Sequence, residues 1–443
     1  MTLRVSVFGT GYLGATHAAG MAELGHDVIG VDVDPLKVER LSRGEVPFFE
    51  PGLPELLSKH VASGTLRFTT DPTEAADADV HFIGVGTPQK EGEYAADMRY
   101  VDAVIETLAP LLTRPTVILG KSTVPVGTAA RLAARVRELA PVGDQAQLGW
   151  NPEFLREGFA VEDTLRPDRL VVGVDKQRPG RIEEVARQVY AAAIDRGTPF
   201  LVTDLPTAEL VKVSANAFLA TKISFINAIA EVCDAAGADV LDLADAIGHD
   251  DRIGRKFLGA GLGFGGGCLP KDIRAFMARA GELGVDQALT FLREVDAVNM
   301  RRRQHVVQMA TEVLGGAVPG RTIAVLGAAF KPDSDDVRDS PALDVAGRLH
   351  LMGANVKVFD PQAMSNAKAV WPTLTFVESM NEAVVDADLV VVSTEWKQFR
   401  TADPAALAAL ARGRVVIDGR NCLDPEAWIA AGWAYRGMGR YSA

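Results

Sequence analysis

The stretch with the clearest chemical potential is Gly259–Cys268, Gly-Ala-Gly-Leu-Gly-Phe-Gly-Gly-Gly-Cys, in which six of the nine residues before the cysteine are glycine. Leu269, Pro270, Lys271, Asp272 and a helical pattern follow. Proline suits the first turn of a helix, which puts Cys268 at a helix N-terminus. Backbone N–H groups and the helix dipole there, with Lys271 beside them, lower the pKa of a thiol. A loop so rich in glycine suits close approach to a ligand. A thiol so placed would support covalent catalysis at a carbonyl carbon; the alternative is a buried cysteine with no chemistry. Cys233, inside the helical run Ile229–Cys233, and Cys422 read as structural. The three cysteines are far apart with no C-x-x-C pair, so neither a disulfide framework nor a zinc site is expected.

A second site is written near the N-terminus. Gly9-Thr-Gly11-Tyr12-Leu13-Gly14 follows a strand-like run and opens a helix, and Asp32 ends the next strand-like run 18 residues after Gly14. Glycines of this spacing let the backbone turn tightly against a pyrophosphate resting on the helix N-terminus. An acid at Asp32 hydrogen-bonds a ribose 2′-hydroxyl and repels a 2′-phosphate, favouring NAD over NADP. Val85-Gly-Thr-Pro88 and Lys121-Ser-Thr-Val-Pro125 also follow strands, at the carboxyl edge where such sheets bind ligands.

Two further groups carry polar chemistry. Lys212 and Asn216 lie four residues apart on one helix face, and no charge falls within Val213–Thr221. Lys212 is either an oxyanion partner or the salt-bridge partner of Glu209. Asn151-Pro-Glu153-Phe-Leu-Arg-Glu157-Gly sets two carboxylates four residues apart. Either could be a general base, or both could be a solvated helix start. The seven histidines show no paired ligand spacing, and no metal is expected.

These residues need a scaffold. Val5–Phe8, Asp27–Val31, Ala78–Val85, Thr116–Leu119 and Leu170–Val174 read as buried strands alternating with helices, the pattern of a parallel sheet with crossover helices. No glycine or proline falls between Pro206 and Gly237, which predicts one helix of about 30 residues. The alternation returns at Thr322–Leu326, Asn355–Asp360 and Asp386–Val392, resembling the first domain closely enough to predict a structural duplication. The expected fold is α/β: two Rossmann-like doubly wound domains joined by a long central helix and a helical middle domain, with boundaries at 1–203, 204–315 and 316–443. With 46 Lys and Arg against 58 Asp and Glu, the net charge is −12, which argues against nucleic acid as a partner. No secretory signature and no long uninterrupted apolar run is present, so a cytoplasmic chain with no membrane partner is expected.

Gly9–Gly14, Lys121–Pro125, Asn151–Gly158, Lys212–Asn227, Arg252–Gly254, Phe264–Asp272, Phe330–Pro341 and Asp418–Arg420 together resemble the UDP-glucose/GDP-mannose dehydrogenase family, in the family's order and across nearly the whole chain. The resemblance implies NAD on the first Rossmann-like domain, the UDP moiety on the second, and a homodimer built around the long helix. It implies four-electron oxidation of the C6 alcohol of UDP-glucose to UDP-glucuronate, with two NAD reduced. Cys268 would capture the aldehyde as a thiohemiacetal, and the resulting thioester would be hydrolysed. Thr123 and Asp272 would hold a water for proton transfer, Lys212 and Asn216 would stabilise oxyanions, and Glu153 would be the hydrolytic base. Glu153, Phe154, Leu155, Glu157, Lys212, Asn216, Ile223, Phe264 and Gly265 would line the sugar-nucleotide site, with Lys331 and Arg420 on the diphosphate or sugar. Arg252 would reach the neighbouring subunit's substrate. The cofactor is expected at Gly9, Gly11, Tyr12, Leu13, Gly14, Asp32, Lys37, Thr87, Thr123, Glu157, Lys271 and Arg338.

Two positions depart from the family pattern. Gly259 stands where many relatives have a polar or basic residue, and Gly267 where many have serine. GDP-mannose oxidation by the same mechanism is the nearest rival. The runs Asn216–Ser224 and Arg252–Gly254 favour the UDP-glucose branch, and Gly267 disfavours the N-acetylhexosamine branch, which usually has histidine there. From other classes, a two-electron hydroxyacid dehydrogenase would not use the thiol, and a non-catalytic NAD sensor would not need it.

Overall fold

The computed structural model describes residues 2–440. The chain divides into two compact units, residues 1–215 with 274–284, and residues 216–273 with 285–443. The segment 204–315 is thus shared between them.

The first unit is built on an eight-stranded sheet. Its strands are β1 (Arg4–Phe8), β2 (Asp27–Val31), β3 (Leu66–Thr69), β4 (Val80–Ile83), β5 (Thr116–Gly120), β6 (Ala146–Trp150), β7 (Leu170–Val174) and β8 (Phe200–Asp204), in the spatial order 3-2-1-4-5-6-7-8. All neighbours pair in parallel except β6 and β7, which meet antiparallel at Trp150 and Gly173. The central strands are buried on both faces, as parallel strands covered by crossover helices must be. One face is closed by Ala15, Ala18, Ala19 and Met21 of helix Tyr12–Glu23. The other is closed by Val101 and Ile105 of helix Arg99–Leu108 and by Leu132 and Val136 of helix Thr128–Leu139.

The second unit carries a six-stranded parallel sheet: β9 (Thr322–Leu326), β10 (Asn355–Phe359), β11 (Thr375–Phe376), β12 (Leu389–Val392), β13 (Val415–Asp418) and β14 (Ala434–Arg436). Its order, 11-10-9-12-13-14, repeats that of the first six strands of the first sheet. The repetition extends to single atoms. Gly9 follows β1 at φ +87° and donates its N–H to Val31 O at 2.8 Å; Gly327 follows β9 at φ +113° and donates to Phe359 O at 2.8 Å. Gly84 N–H bonds Phe8 O and Ser393 N–H bonds Leu326 O, each at 2.8 Å. The duplication expected from the sequence is present, and the fold is two Rossmann-like sheets with a long helix.

That helix runs from Leu205 to Ala236, 32 residues, about 48 Å at the usual rise. It stops at Gly237, whose φ of +71° ends the helix while Ala238 N–H reaches back to Cys233 O at 3.0 Å. Among the described residues it is the one helix long and apolar enough to cross a membrane by length and composition. Its polar side chains are tied into protein: Glu209 within the first unit, and Asn216, Ser224 and Asn227 within the second.

Candidate active site

In the first unit, the turn after β1 is shaped by contacts that exclude side chains. A Cβ on Gly14 would lie 1.7 Å from Gly9 O, whereas one on Gly11 would meet nothing within 4 Å. Gly11 precedes helix Tyr12–Glu23, whose N-terminus no side chain caps. This open, uncapped turn fits a dinucleotide pyrophosphate. Asp32 Oδ2 accepts from Thr10 N–H (2.7 Å), Thr10 Oγ1 (3.1 Å) and Lys37 Nζ (2.9 Å), while Oδ1 has Asp34 N–H alone at 3.1 Å. Burial pushes the Asp32 carboxyl up, but Lys37 and the backbone N–H groups outweigh it and hold it below its ordinary value. A carboxylate oxygen takes about two hydrogen bonds, so Oδ1 retains capacity for a ribose hydroxyl.

The corresponding acid of the second unit is closed. Asp360 Oδ2 takes Ala328 N–H (2.7 Å), Ala329 N–H (3.0 Å) and Trp396 Nε1–H (3.1 Å), and Oδ1 takes Gln362 and Ala363 N–H at 2.9 and 2.8 Å. Of these two acids, Asp32 alone keeps an oxygen with a single partner among the described residues.

Further along the first sheet, Thr87 donates to Thr123 O at 2.7 Å, joining two expected cofactor residues. Tyr12 donates to Glu50, and Glu50 in turn accepts from Gly158 and Ala160 N–H, each at 2.7 Å. Glu153 Oε1 pairs with Lys212 Nζ at 2.9 Å, and Oε2 accepts Leu155 N–H at 2.6 Å. The Phe154 ring lies beneath Arg169, 3.8 Å from its guanidinium carbon, and 5.7 Å from Lys212 Nζ. The alternative pairing of Lys212 with Glu209 does not form. Glu209 instead caps helix Thr128–Leu139, accepting Gly127 and Ala129 N–H at 2.7 and 2.6 Å. Burial pushes its carboxyl up to about 7 against the pull of those N–H groups. Glu157 is half-buried.

In the second unit, Cys268 is exposed and directly precedes helix Leu269–Glu282, its carbonyl accepting Asp272 N–H at 3.0 Å. The thiol therefore sits at the cap position, where the helix dipole favours thiolate. Asp272 is 2% exposed and accepts Asn216 Nδ2 at 2.6 Å on one oxygen and Lys271 Nζ on the other. Lys331 Nζ lies over the Phe330 ring at 5.5 Å. Arg252, on the surface, forks onto Asp250. Ile223 is half-buried on the long helix.

The glycine run serves the protein itself. Gly261 N–H bonds Asn227 Oδ1 at 2.8 Å, Gly261 O accepts Arg302 Nε at 3.2 Å, and Gly263 O accepts Arg420 Nη1 at 2.8 Å. Asn299 holds both backbone groups of Phe264, accepting N–H at 2.7 Å and donating to O at 2.9 Å, and Arg303 adds a second donor at 3.2 Å. A Cβ on Gly263 would fall 2.3 Å from Asn299 Oδ1, one on Gly265 2.3 Å from Asp339 O, and one on Gly267 2.2 Å from Arg338 Cζ. The missing side chains let buried polar residues approach. Gly267 has a specific use: serine there would displace the Arg338 guanidinium, which Asp336 holds through Nε and Nη2. Gly259, by contrast, faces open space. Among the described residues no group of three metal-ligating side chains occurs.

Sequence reasoning marked the Lys121–Pro125 segment but gave Lys121 no role of its own, and it missed Glu50, Asn299, Arg302 and Arg303. Arg302 and Arg303 sit in the charged run Arg301–Arg303, yet they are 0% and 2% exposed.

Comparison with known proteins gives three matches to one family. Residues 3–194 match the NAD binding domain of the UDP-glucose/GDP-mannose dehydrogenase family, 206–301 its central domain, and 324–425 its UDP binding domain. The chain is 42% identical to a UDP-glucose 6-dehydrogenase of Rhizobium meliloti, covering 99% of this chain and 100% of that one. It is 41% identical to UDP-glucose 6-dehydrogenase TuaD of Bacillus subtilis, covering 99% and 93%. A UDP-glucose dehydrogenase structure from Pyrobaculum islandicum superposes with a TM-score of 0.90 at 40% identity, covering 99% of this chain and 98% of that one.

Asn299→Ala leaves the N–H and C=O of Phe264 without their side-chain amide. The expected loss is about 1–3 kcal/mol, the cost of one buried N–H losing its acceptor while the C=O keeps Arg303. Urea unfolding followed by tryptophan fluorescence checks it; an unchanged midpoint contradicts the grip assigned to Asn299.

Proposed function

The chain belongs to the UDP-glucose/GDP-mannose dehydrogenase family, and on that premise we propose that it oxidises UDP-glucose to UDP-glucuronate with two equivalents of NAD. The observation that carries the reading is Cys268, exposed at a helix cap behind a glycine loop held by buried side chains, in a chain whose first unit also fits a dinucleotide. NAD, when bound, accepts the hydride lost from C6 at each of the two oxidations. The turn Gly9–Gly14 and Asp32 hold it, with Lys37, Thr87, Thr123, Glu157, Lys271 and Arg338 as further contacts.

The residues divide the work as follows. Proton transfer from the C6 hydroxyl is assigned to a water held by Thr123 and Asp272, the latter itself held by Asn216 and Lys271. Loss of that proton and a hydride gives the aldehyde. Cys268 Sγ adds to its carbon, forming a thiohemiacetal; loss of a second hydride and the hydroxyl proton leaves a thioester. Lys212 and Asn216 stabilise the oxyanions. Glu153 takes one proton from the attacking water, the C–S bond breaks, Sγ departs as thiolate, and the acid so formed gives the second proton to solvent and remains as the carboxylate. Phe154, Leu155, Ile223, Phe264, Gly265, Lys331 and Arg420 line the sugar-nucleotide side.

The same reading assigns residues 1–203 to NAD, 204–315 to the centre and 316–443 to the UDP-sugar. The three family matches support it, as does the contrast between Asp32, which has acceptor capacity, and Asp360, which has none. A homodimer is supported by the exposed stripe Phe218, Phe225 and Val232, spaced seven residues apart and 66, 50 and 60% accessible on the long helix. Such a stripe is a seam seeking a partner. Arg252 belongs to that assembly as a residue reaching the neighbouring substrate. Three free cysteines support a reducing, cytoplasmic setting; no membrane or nucleic-acid partner enters the reading.

Run to completion, limiting UDP-glucose is expected to yield about two NADH per molecule, one per hydride, with GDP-mannose and UDP-N-acetylglucosamine giving little. A ratio near one refutes the double oxidation, and turnover with GDP-mannose alone moves the substrate. For the dimer, Phe225→Asp is expected to shift the mass in light scattering from two chains to one. A wild-type monomer, or an unshifted variant, contradicts the seam.

A further inference from the structure

Lys121 opens the Lys121–Pro125 segment after β5, and the mechanism above gives it no task. It is 7% exposed, and no ion pair among the described residues includes it. Its Nζ donates to Asn151 Oδ1 at 3.0 Å and Tyr190 Oη at 3.3 Å, and lies 5.7 and 5.8 Å from the ring centres of Phe82 and Tyr190. Tyr190 also donates to Asn151 Oδ1 at 2.6 Å, and Asn151 Nδ2 donates to Val171 O at 2.8 Å. Lys121 thus grips the first residue of the Asn151–Leu155 segment, while Glu153, two residues on, lines the same cavity as Lys121.

A buried ammonium without a carboxylate costs the fold, and an apolar residue of like size in its place is often neutral or stabilising. Burial pushes the Lys121 amine down to about 8, Glu153 pulling it up and Lys212 pushing it down, so it is charged at pH 7. The other titratable groups of the cavity do not neutralise it. His17 is held well below its usual range, chiefly by burial and then by Lys121 itself, and Tyr190 is pushed up by burial, so both are neutral. Asp163 is committed to Arg156 at 2.6 Å, and Arg169 is stacked on Phe154 beside Asp168. A costly charge kept beside a candidate base marks function rather than stability.

We propose that Lys121 is a positioning residue for thioester hydrolysis: by gripping Asn151 it fixes the Asn151–Leu155 segment and so the place of Glu153 as the base. This rests on the assignment of Glu153 above. In rapid mixing with UDP-glucose and NAD, Lys121→Met is expected to release two NADH per site in a burst and then turn over about tenfold more slowly, as a barrier rise of 1.4 kcal/mol gives. Its burst is expected to keep the wild-type amplitude, because both oxidations precede the step that Glu153 serves, while the urea midpoint holds or rises. Lys121→Gln replaces it should the methionine variant not fold. A steady-state rate like wild type, or a slowed rate with a diminished burst and a lowered midpoint, overturns the proposal. Glu153→Gln separates the two readings: wild-type hydrolysis there refutes the base itself, whereas slowed hydrolysis there with wild-type hydrolysis in Lys121→Met refutes Lys121 alone.

Discussion

A loop nearly without side chains cannot hold its own shape, and the chemistry depends on what holds this one. The backbone from Gly261 to Gly266 gives its N–H and C=O groups to fixed partners: Asn227, Arg302, Gly419, Arg420, Asn299, Arg303 and Arg338. Buried backbone groups left unpaired are costly, so these bonds define one conformation and penalise departures from it. Cys268 is delivered to its helix cap by that conformation. The glycines are the condition for it, because a Cβ at Gly263, Gly265 or Gly267 would occupy space taken by Asn299, Asp339 or Arg338.

The two sheets show how one fold takes two duties. Their strand orders agree over six strands, and the turns after β1 and β9 share a positive-φ glycine and the same bond to the next strand. They part at the acid ending the second strand. Asp32 keeps an oxygen with a single partner, while Asp360 spends both oxygens on its own turn and on Trp396. A small change in internal hydrogen bonding decides whether a ribose finds an acceptor.

Much of this was legible in the sequence because it rests on local pattern. Leu170–Val174 and Thr322–Leu326 fall where the apolar runs predict, and the long helix ends at Gly237 as expected. The strands that escaped notice have identifiable reasons. Leu66–Thr69 is short and half-exposed, and Phe200–Asp204 is an edge strand open to solvent. Cys268 announced itself through glycine and proline spacing. Lys121 and Asn299 did not, since their partners lie 30 and 35 residues away, and only the fold brings them together. Arg302 and Arg303 were hidden differently: a run of three arginines on a helix reads as a solvated face, and burial of two of them is a tertiary fact.

The central claim is that Cys268 carries the sugar as an acyl group between oxidation and hydrolysis. Mass analysis of the Cys268 peptide from Glu153→Gln protein, acid-quenched during turnover with UDP-glucose and NAD, tests it most directly. The account predicts a mass increase corresponding to the UDP-glucuronyl thioester, absent from Cys268→Ala protein. An unmodified Cys268 peptide, while that variant still reduces two NAD per UDP-glucose at the wild-type rate, would contradict it.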